Sequence, residues 1–191
     1  DFGESIRTVQ EDLREVAPTM FLGVPRIWEK LHSAIAIKMH ESGGLRQRLF
    51  NAGLKACAPF AHKAAHQRSL GERLTFGVYY ALIFRALQNF IGLRRVGVAL
   101  TGAAPISPAI VQFFRTLGVP LVEVYGMTES SGMVLGQRLD AVRFGTVGVP
   151  TRGVEHRLSA VGELQIRGGV VLKGYYKNPE ATASSIVDGW L

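Results

Sequence analysis

The stretch "VGVALTGAAPISPAIVQFFRTLGVPLVEV", Val96 to Val124, decides the reading of this chain. Val96 to Leu100 is a continuous apolar run, the pattern of a parallel strand covered on both faces. "TGAAPI" reads as a loop. Ser107 is a suitable N-cap, and Pro108 suits the first helical position, where its missing N–H costs nothing. Ile110, Val111, Phe113, Phe114 and Leu117 form the helix body, and Gly118 suits its end. Pro120 to Val124 is the next strand. Strand, helix and strand in this order predict two parallel strands joined by a right-handed crossover. The loops "TGAAP" and "YGMTE" then leave the C-terminal ends of two strands, the edge where open α/β sheets bind ligands.

Outward from this unit the patterns continue in both directions. Upstream, Ile6, Val9, Leu13 and Val16 fall at helical spacing, and Pro18 ends that helix. Met20 to Val24 reads as a short buried strand. From Pro25 to about Leu93 the pattern is helical, with Ile27, Leu31 and Ile35 on one face and breaks at "ESGG" (41–44) and "SLGE" (69–72). The run Leu74 to Leu93 is long enough for a membrane span. Arg85, Gln88 and Asn89 within it argue instead for a buried or surface-lying helix. Downstream of Gly132 the texture changes to short strand-like pieces separated by Gly: "TVGVP", "GVEHRL", "GELQIRG" and "VVLKGYY". Leu164 and Ile166 alternate with Gln165 and Arg167, as in a half-exposed strand, and "SAVG" (159–162) looks like a hairpin turn. The expected fold is α/β: part of a doubly wound, mostly parallel sheet with helices over residues 1–145, then a β-rich subdomain over 146–191.

Composition limits the alternatives. The chain has 191 residues, 47% of them hydrophobic, enough for a substantial core. Its one cysteine, Cys57, excludes a disulfide framework and a cysteine metal site within the chain. Cys57 lies between alanines and reads as a buried apolar residue. The start shows no signal-peptide pattern, and a reducing, cytoplasmic compartment is expected. Charge is uneven: residues 26–95 hold 12 Lys and Arg against 3 Asp and Glu, and the remainder 10 against 12. The basic helical region 26–95 is either a solvated face or a peripheral contact with an anionic membrane surface. No nucleic-acid motif accompanies the charge. His62 and His66 stand at i, i+4 spacing with no acidic partner nearby, which favours a solvated helix face over a metal site.

Two short stretches carry candidate chemistry. Gly102 with small Ala103 and Ala104 leaves room for a flat ligand near the main chain, or simply makes a tight turn. Tyr125 is able to stack on a base, and Gly126 to admit a phosphate or carbonyl to the backbone. Thr128 is able to bond an anionic oxygen, and Glu129 to hold Mg²⁺, a hard cation that takes oxygen ligands. The competing reading is an exposed loop with a packed tyrosine. No single residue here is specific; the ordered set is.

Three stretches resemble the adenylate-forming superfamily of acyl-CoA synthetases, luciferases and peptide-synthetase adenylation domains. They are "LTGAAPIS" (100–107), "EVYGMTESSG" (123–132) and "GELQIRGGVVLKGYYKNPEAT…DGWL" (162–191). "FLGVPRIWEKL" (21–31) and the long helical stretch after it look like the long-chain, bubblegum-type acyl-CoA synthetase branch. The resemblance implies a ligase that joins carboxylate and ATP into an acyl-adenylate with release of pyrophosphate. CoA thiol then displaces AMP. It implies ATP, a long-chain fatty acid and CoA as partners, and Mg²⁺ as cofactor. Gly102, Ala103 and Ala104 would line the adenine, with Tyr125 stacked on it. Glu123, Gly126 and Met127 would belong to the ATP/AMP site, and Val124 and Gly126 to the acyl site. Thr128 would contact the α-phosphate and Glu129 the Mg²⁺, both as catalytic groups.

The family's phosphate loop, its ribose-binding "TGD" and its small C-terminal domain with the adenylation lysine are not in these 191 residues. The resemblance therefore implies a middle piece of an enzyme, inactive alone. Val124 stands where many relatives carry Gly, which would narrow the space near the acyl carbonyl. The alternatives are an acyl-AMP ligase that loads a carrier protein and a non-catalytic lipid- or partner-binding module.

Overall fold

A computed structural model describes residues 8–191 of the chain. Helix α1 (Val9–Val16) places Leu13 in the core; Ile6 of the predicted helix lies outside the described residues. Strand β1 (Met20–Gly23) leads into helix α2 (Pro25–Glu41), which starts on Pro25 as expected for a residue without an N–H. Its buried face is Trp28, Leu31, Ile35 and Met39, spaced at three and four residues. Trp28 is fully buried, and its indole N–H donates to the Gly23 carbonyl at 3.1 Å. Phe21 and Phe114 meet the Trp28 ring edge-on at 5.3 and 5.0 Å between centroids.

The break at "ESGG" separates α2 from helix α3 (Gly44–Cys57), and Cys57 is buried. Ala58–Phe60 and Ala65–Gln67 form single 3-10 turns with His62 in the irregular stretch between them, so His62 and His66 do not share one helix face and the spacing argument does not apply to them. "SLGE" proves to be a start. Ser69 accepts from the Glu72 N–H at 3.2 Å, and the Glu72 carboxylate accepts from the Ser69 N–H at 2.8 Å, a capping box for helix α4 (Leu70–Tyr79). A π turn at Tyr80–Phe84 carries the chain into helix α5 (Arg85–Phe90). One face of this run buries Ile83, Phe84, Leu87 and Ile91, and the other exposes Leu70, Leu74, Val78 and Leu82. Among the described residues no helix is long and apolar enough to cross a membrane.

Strand β2 (Val98–Thr101), helix α6 (Pro108–Thr116) and strand β3 (Leu121–Met127) form the predicted crossover unit. β1 pairs with β2 and β2 with β3, both parallel. Pro108 opens α6, but the Ser107 side chain makes no capping bond. Gly118 ends the helix with a left-handed φ of 89°. Strand β4 (Gly132–Gly136) and strand β5 (Val149–Pro150) continue the same sheet in antiparallel fashion, giving the order β1-β2-β3-β4-β5. Helices α1 to α6 pack against the face that holds Phe21, Ala99 and Leu121; on the opposite face Met20 and Leu22 are 61% and 64% exposed.

Strands β6 (Val154–Leu158) and β7 (Leu164–Gly168) form a separate antiparallel pair. "SAVG" turns between them: the Gly162 N–H donates to the Ser159 carbonyl at 3.0 Å, and Gly162 has a φ of 86°. Ile166 is buried while Arg167 is exposed, as the alternation predicts. Val154 and Ile166 share a small second core with Val134 and Leu135 of β4. "VVLKGYY" is not a strand. Residues 169–176 run as a turn-rich strap to helix α7 (Pro179–Ser185), capped by the Asn178 carboxamide, which accepts from the Ala181 N–H at 3.0 Å.

Candidate active site

Strand β3 does not stop where its apolar run ends. Leu121, Val122 and Glu123 pair in parallel with β2, and Val124 to Met127 pair antiparallel with β4. Tyr125, Gly126 and Met127, expected in a loop, are therefore strand residues. The ladder shifts register between Tyr125 and Gly126, an irregularity that re-aims side chains and that sheets carry beside functional sites. Gly126 is required there by the neighbouring strand. A Cβ at this position would lie 1.8 Å from the Gly132 carbonyl oxygen. Its lack of a side chain is thus explained by close approach of β4, before any ligand is considered.

The "TGAAP" loop lies against β3. A Cβ on Gly102 would fall 2.9 Å from Val124 Cγ2 and 3.0 Å from the Val124 carbonyl oxygen, so this glycine seats the loop on the strand. Ala103 follows with a φ of 69°. The left-handed region costs an L-residue roughly 1–2 kcal/mol, and such strain concentrates at functional sites.

Beyond Met127, residues Thr128–Ser130 make one 3-10 turn. Ser130 is 1% exposed. Its Oγ accepts from the Met127 N–H at 3.0 Å, and its one proton is shared between the carbonyls of Met127 and Gly132 at 3.0 and 2.9 Å. The turn is closed on itself and cannot be displaced without losing these bonds. It is also tied to the strap. The Leu172 N–H donates to the Glu129 carbonyl at 2.8 Å, the Ser131 hydroxyl to the Val170 carbonyl at 2.9 Å, and the Tyr175 phenol to Glu129 Oε1 at 3.0 Å.

These elements enclose one cleft of about 750 Å³, within the range of small-molecule sites. Gly102, Ala103, Val124, Tyr125, Gly126, Met127, Thr128 and Glu129 line it together with Leu22, Gly23, Val24, Ile27, Gly132 and Met133. Eight of the candidate residues thus converge, and two lie outside the lining. Ala104 is exposed within the "TGAAP" loop, and Glu123 is 8% exposed in the sheet, where burial pushes its carboxyl above the ordinary range. Tyr125 does two things: it lines the cleft and packs against Val134, Leu135, Val154 and Ile166.

Sequence reasoning missed the wall supplied by Leu22, Val24 and Ile27. It also missed Ser130 and Tyr175 as the groups that fix the turn. The "GYYKNPEAT" pattern marked the strap as specific, but nothing in it said that its tyrosine reaches 46 residues back to Glu129.

Among the described residues no group of three or more His, Cys, Asp or Glu side chains converges. A single carboxylate beside a hydroxyl fits Mg²⁺, which is commonly held by one or two carboxylates with substrate phosphates and water completing its shell.

Comparison with known proteins places these features. Residues 3–176 match the AMP-binding enzyme family. Long chain acyl-CoA synthetase 1 of Arabidopsis thaliana is 32% identical over 201 aligned residues, covering 97% of this chain and 30% of that protein. Long-chain-fatty-acid–CoA ligase ACSBG2 of Rattus norvegicus is 33% identical, covering 96% of this chain and 28% of that protein. The fold is shared with o-succinylbenzoate CoA synthetase (MenE) from Bacillus subtilis, solved in complex with ATP and magnesium ion, at a TM-score of 0.59 and 16% identity, over 98% of this chain and 30% of that one. The chain spans about a third of the length of the curated relatives it matches.

Proposed function

Since the chain belongs to the AMP-binding enzyme family, we propose that it is part of a long-chain fatty acid–CoA ligase. The carboxylate of the fatty acid attacks the α-phosphorus of ATP, and pyrophosphate leaves. The CoA thiol then attacks the acyl carbonyl, and AMP leaves with the electron pair of the broken C–O bond. The supporting observation is the convergence of Gly102, Ala103, Tyr125, Thr128 and Glu129 on one cleft.

Gly102 and Ala103 offer a floor without bulky side chains to the adenine, and the Tyr125 ring offers it a stacking face. The Thr128 hydroxyl donates to an α-phosphate oxygen where negative charge grows. Glu129 would hold Mg²⁺, which when bound neutralises charge on the phosphate oxygens. Val124 and Gly126 lie beside the acyl carbonyl. The apolar wall of Leu22, Val24, Ile27 and Met133 supports a hydrocarbon substrate. We place the boundary of the α/β part near residue 145, with the β-rich part beyond it supplying the strap behind Glu129.

The test is ATP–pyrophosphate exchange with palmitate in the full-length protein that carries this segment. Glu129→Ala is expected to lower exchange by about 10²–10³ with an unchanged circular dichroism spectrum, and the 191-residue chain alone is expected to give none. Near-normal exchange by Glu129→Ala would assign Glu129 a structural role and overturn its assignment as the metal ligand.

A further inference from the structure

We propose that Tyr175 is a positioning residue for Glu129, so that the "GYY" strap sets the geometry of the metal-binding carboxylate. The inference rests on the reading of Glu129 as a Mg²⁺ ligand. A glutamate side chain has three free torsions, and on a short turn it samples many rotamers. Here one oxygen is engaged: the Tyr175 phenol donates to Glu129 Oε1 at 3.0 Å. Oε2 is left to face a ligand in the cleft that Glu129 lines.

The phenol is itself held. The Tyr175 N–H donates to Thr182 Oγ1 at 2.9 Å, and the Thr182 hydroxyl donates to the Asn178 carbonyl at 2.9 Å. Gly174, at a φ of 153°, packs so closely on Thr182 that a Cβ would sit 2.9 Å from Thr182 Cγ2. The Glu129 carbonyl is bound to the same strap by the Leu172 N–H, and the hydroxyl of the next residue but one, Ser131, donates to the strap's Val170 carbonyl. Main chain and carboxylate of Glu129 are thus referred to one rigid support, as metal ligands are when an outer hydrogen bond fixes their orientation. A tyrosine needed only for packing would not require its hydroxyl here, since the strap already has two other tethers.

Binding of ATP to the full-length protein is measured by calorimetry, once with Mg²⁺ and once with EDTA. Tyr175→Phe is expected to reduce the tightening that Mg²⁺ confers by about 10-fold, with metal-free ATP affinity unchanged. Glu129→Gln should remove the Mg²⁺-dependent tightening as well, and the double variant should lose no more than Glu129→Gln alone. A purely structural tyrosine would weaken both forms equally. Retention of the full Mg²⁺ effect in Tyr175→Phe, with its loss in Glu129→Gln, overturns this proposal alone. Retention in Glu129→Gln overturns the metal assignment and the proposal with it. Should Tyr175→Phe fail to fold, 3-fluorotyrosine at position 175 reports in the otherwise native protein. Its ¹⁹F resonance is expected to move on adding MgATP and to stay fixed with ATP and EDTA. An unmoved resonance refutes the coupling.

Discussion

Gly126→Ala separates the two explanations of that glycine. The added Cβ would lie 1.8 Å from the Gly132 carbonyl oxygen, 2.5 Å from its carbon and 2.9 Å from Met133 Cα. All three are backbone atoms of β4, so no side-chain rotation relieves the clash. A carbon and an oxygen rest at about 3.3 Å, so the strands must separate by about 1.5 Å. Overpacking of this kind costs roughly 1–3 kcal/mol. Separation also breaks ladder bonds at Gly126 and Met127 and the Ser130 bond to Gly132, each contributing about 1 kcal/mol. A total near 4–6 kcal/mol is expected, which for a chain of this size lowers Tm by roughly 8–24 °C.

Urea and thermal unfolding followed by circular dichroism measure it. Gly71→Ala serves as the comparison: Gly71 lies within α4 with no atom within 4 Å of the added methyl, and the change should be neutral or stabilising by up to about 1 kcal/mol. If Gly126→Ala unfolds within 0.5 kcal/mol of the parent, a margin typical of inert surface changes, the strand-contact argument is wrong and ligand approach becomes the sole reason for glycine there.

Two further predictions concern titratable groups. His32 is half-buried edge-on to Phe113, and burial lowers its pKa below the ordinary value. The unfolded chain therefore takes up the proton first as pH falls, so the contribution of neutral His32 is intact above the unfolded pKa and is lost as pH drops through the lower folded one. His32→Gln should flatten the decline of stability below about pH 6.5, measured by urea midpoints from pH 7.5 to 5; an unchanged slope refutes it. Arg115 is 6% exposed, and its guanidinium donates to the carbonyls of Ala61, Leu121, Leu139 and His62 at 2.8, 3.3, 3.3 and 3.5 Å. Burial, with the Arg68 charge nearby, pulls its pKa down to about 10, so it stays charged at neutral pH. Arg115→Met leaves these acceptors without their charged donor, at about 1–3 kcal/mol for each one that stays buried and unpaired, so a loss of more than about 2 kcal/mol is expected from urea midpoints; a loss below 1 kcal/mol refutes the clamp.

The sequence by itself determined the parallel core, because local rules carry it. Apolar runs, a proline at the first turn of α6 and a glycine past its end describe strand, helix and strand within 29 residues. It also brought together the eight lining residues that come from "TGAAP" and from Val124 to Glu129, because these stretches follow two neighbouring parallel strands and must share an edge. Pattern could not say that β3 runs on past Val124. That extension depends on β4 approaching from the far side, and the reason for Gly126 lies in the Gly132 carbonyl rather than in its own neighbours. "VVLKGYY" is apolar enough for a strand, yet it has no ladder partner and closes as a strap, since strand formation requires a second strand to bond. Only the tertiary structure joined that strap to the turn of Thr128–Ser130. The bond from Tyr175 to Glu129 spans 46 residues, and contacts at that separation are set by how the sheet and strap pack, a property that no local spacing encodes.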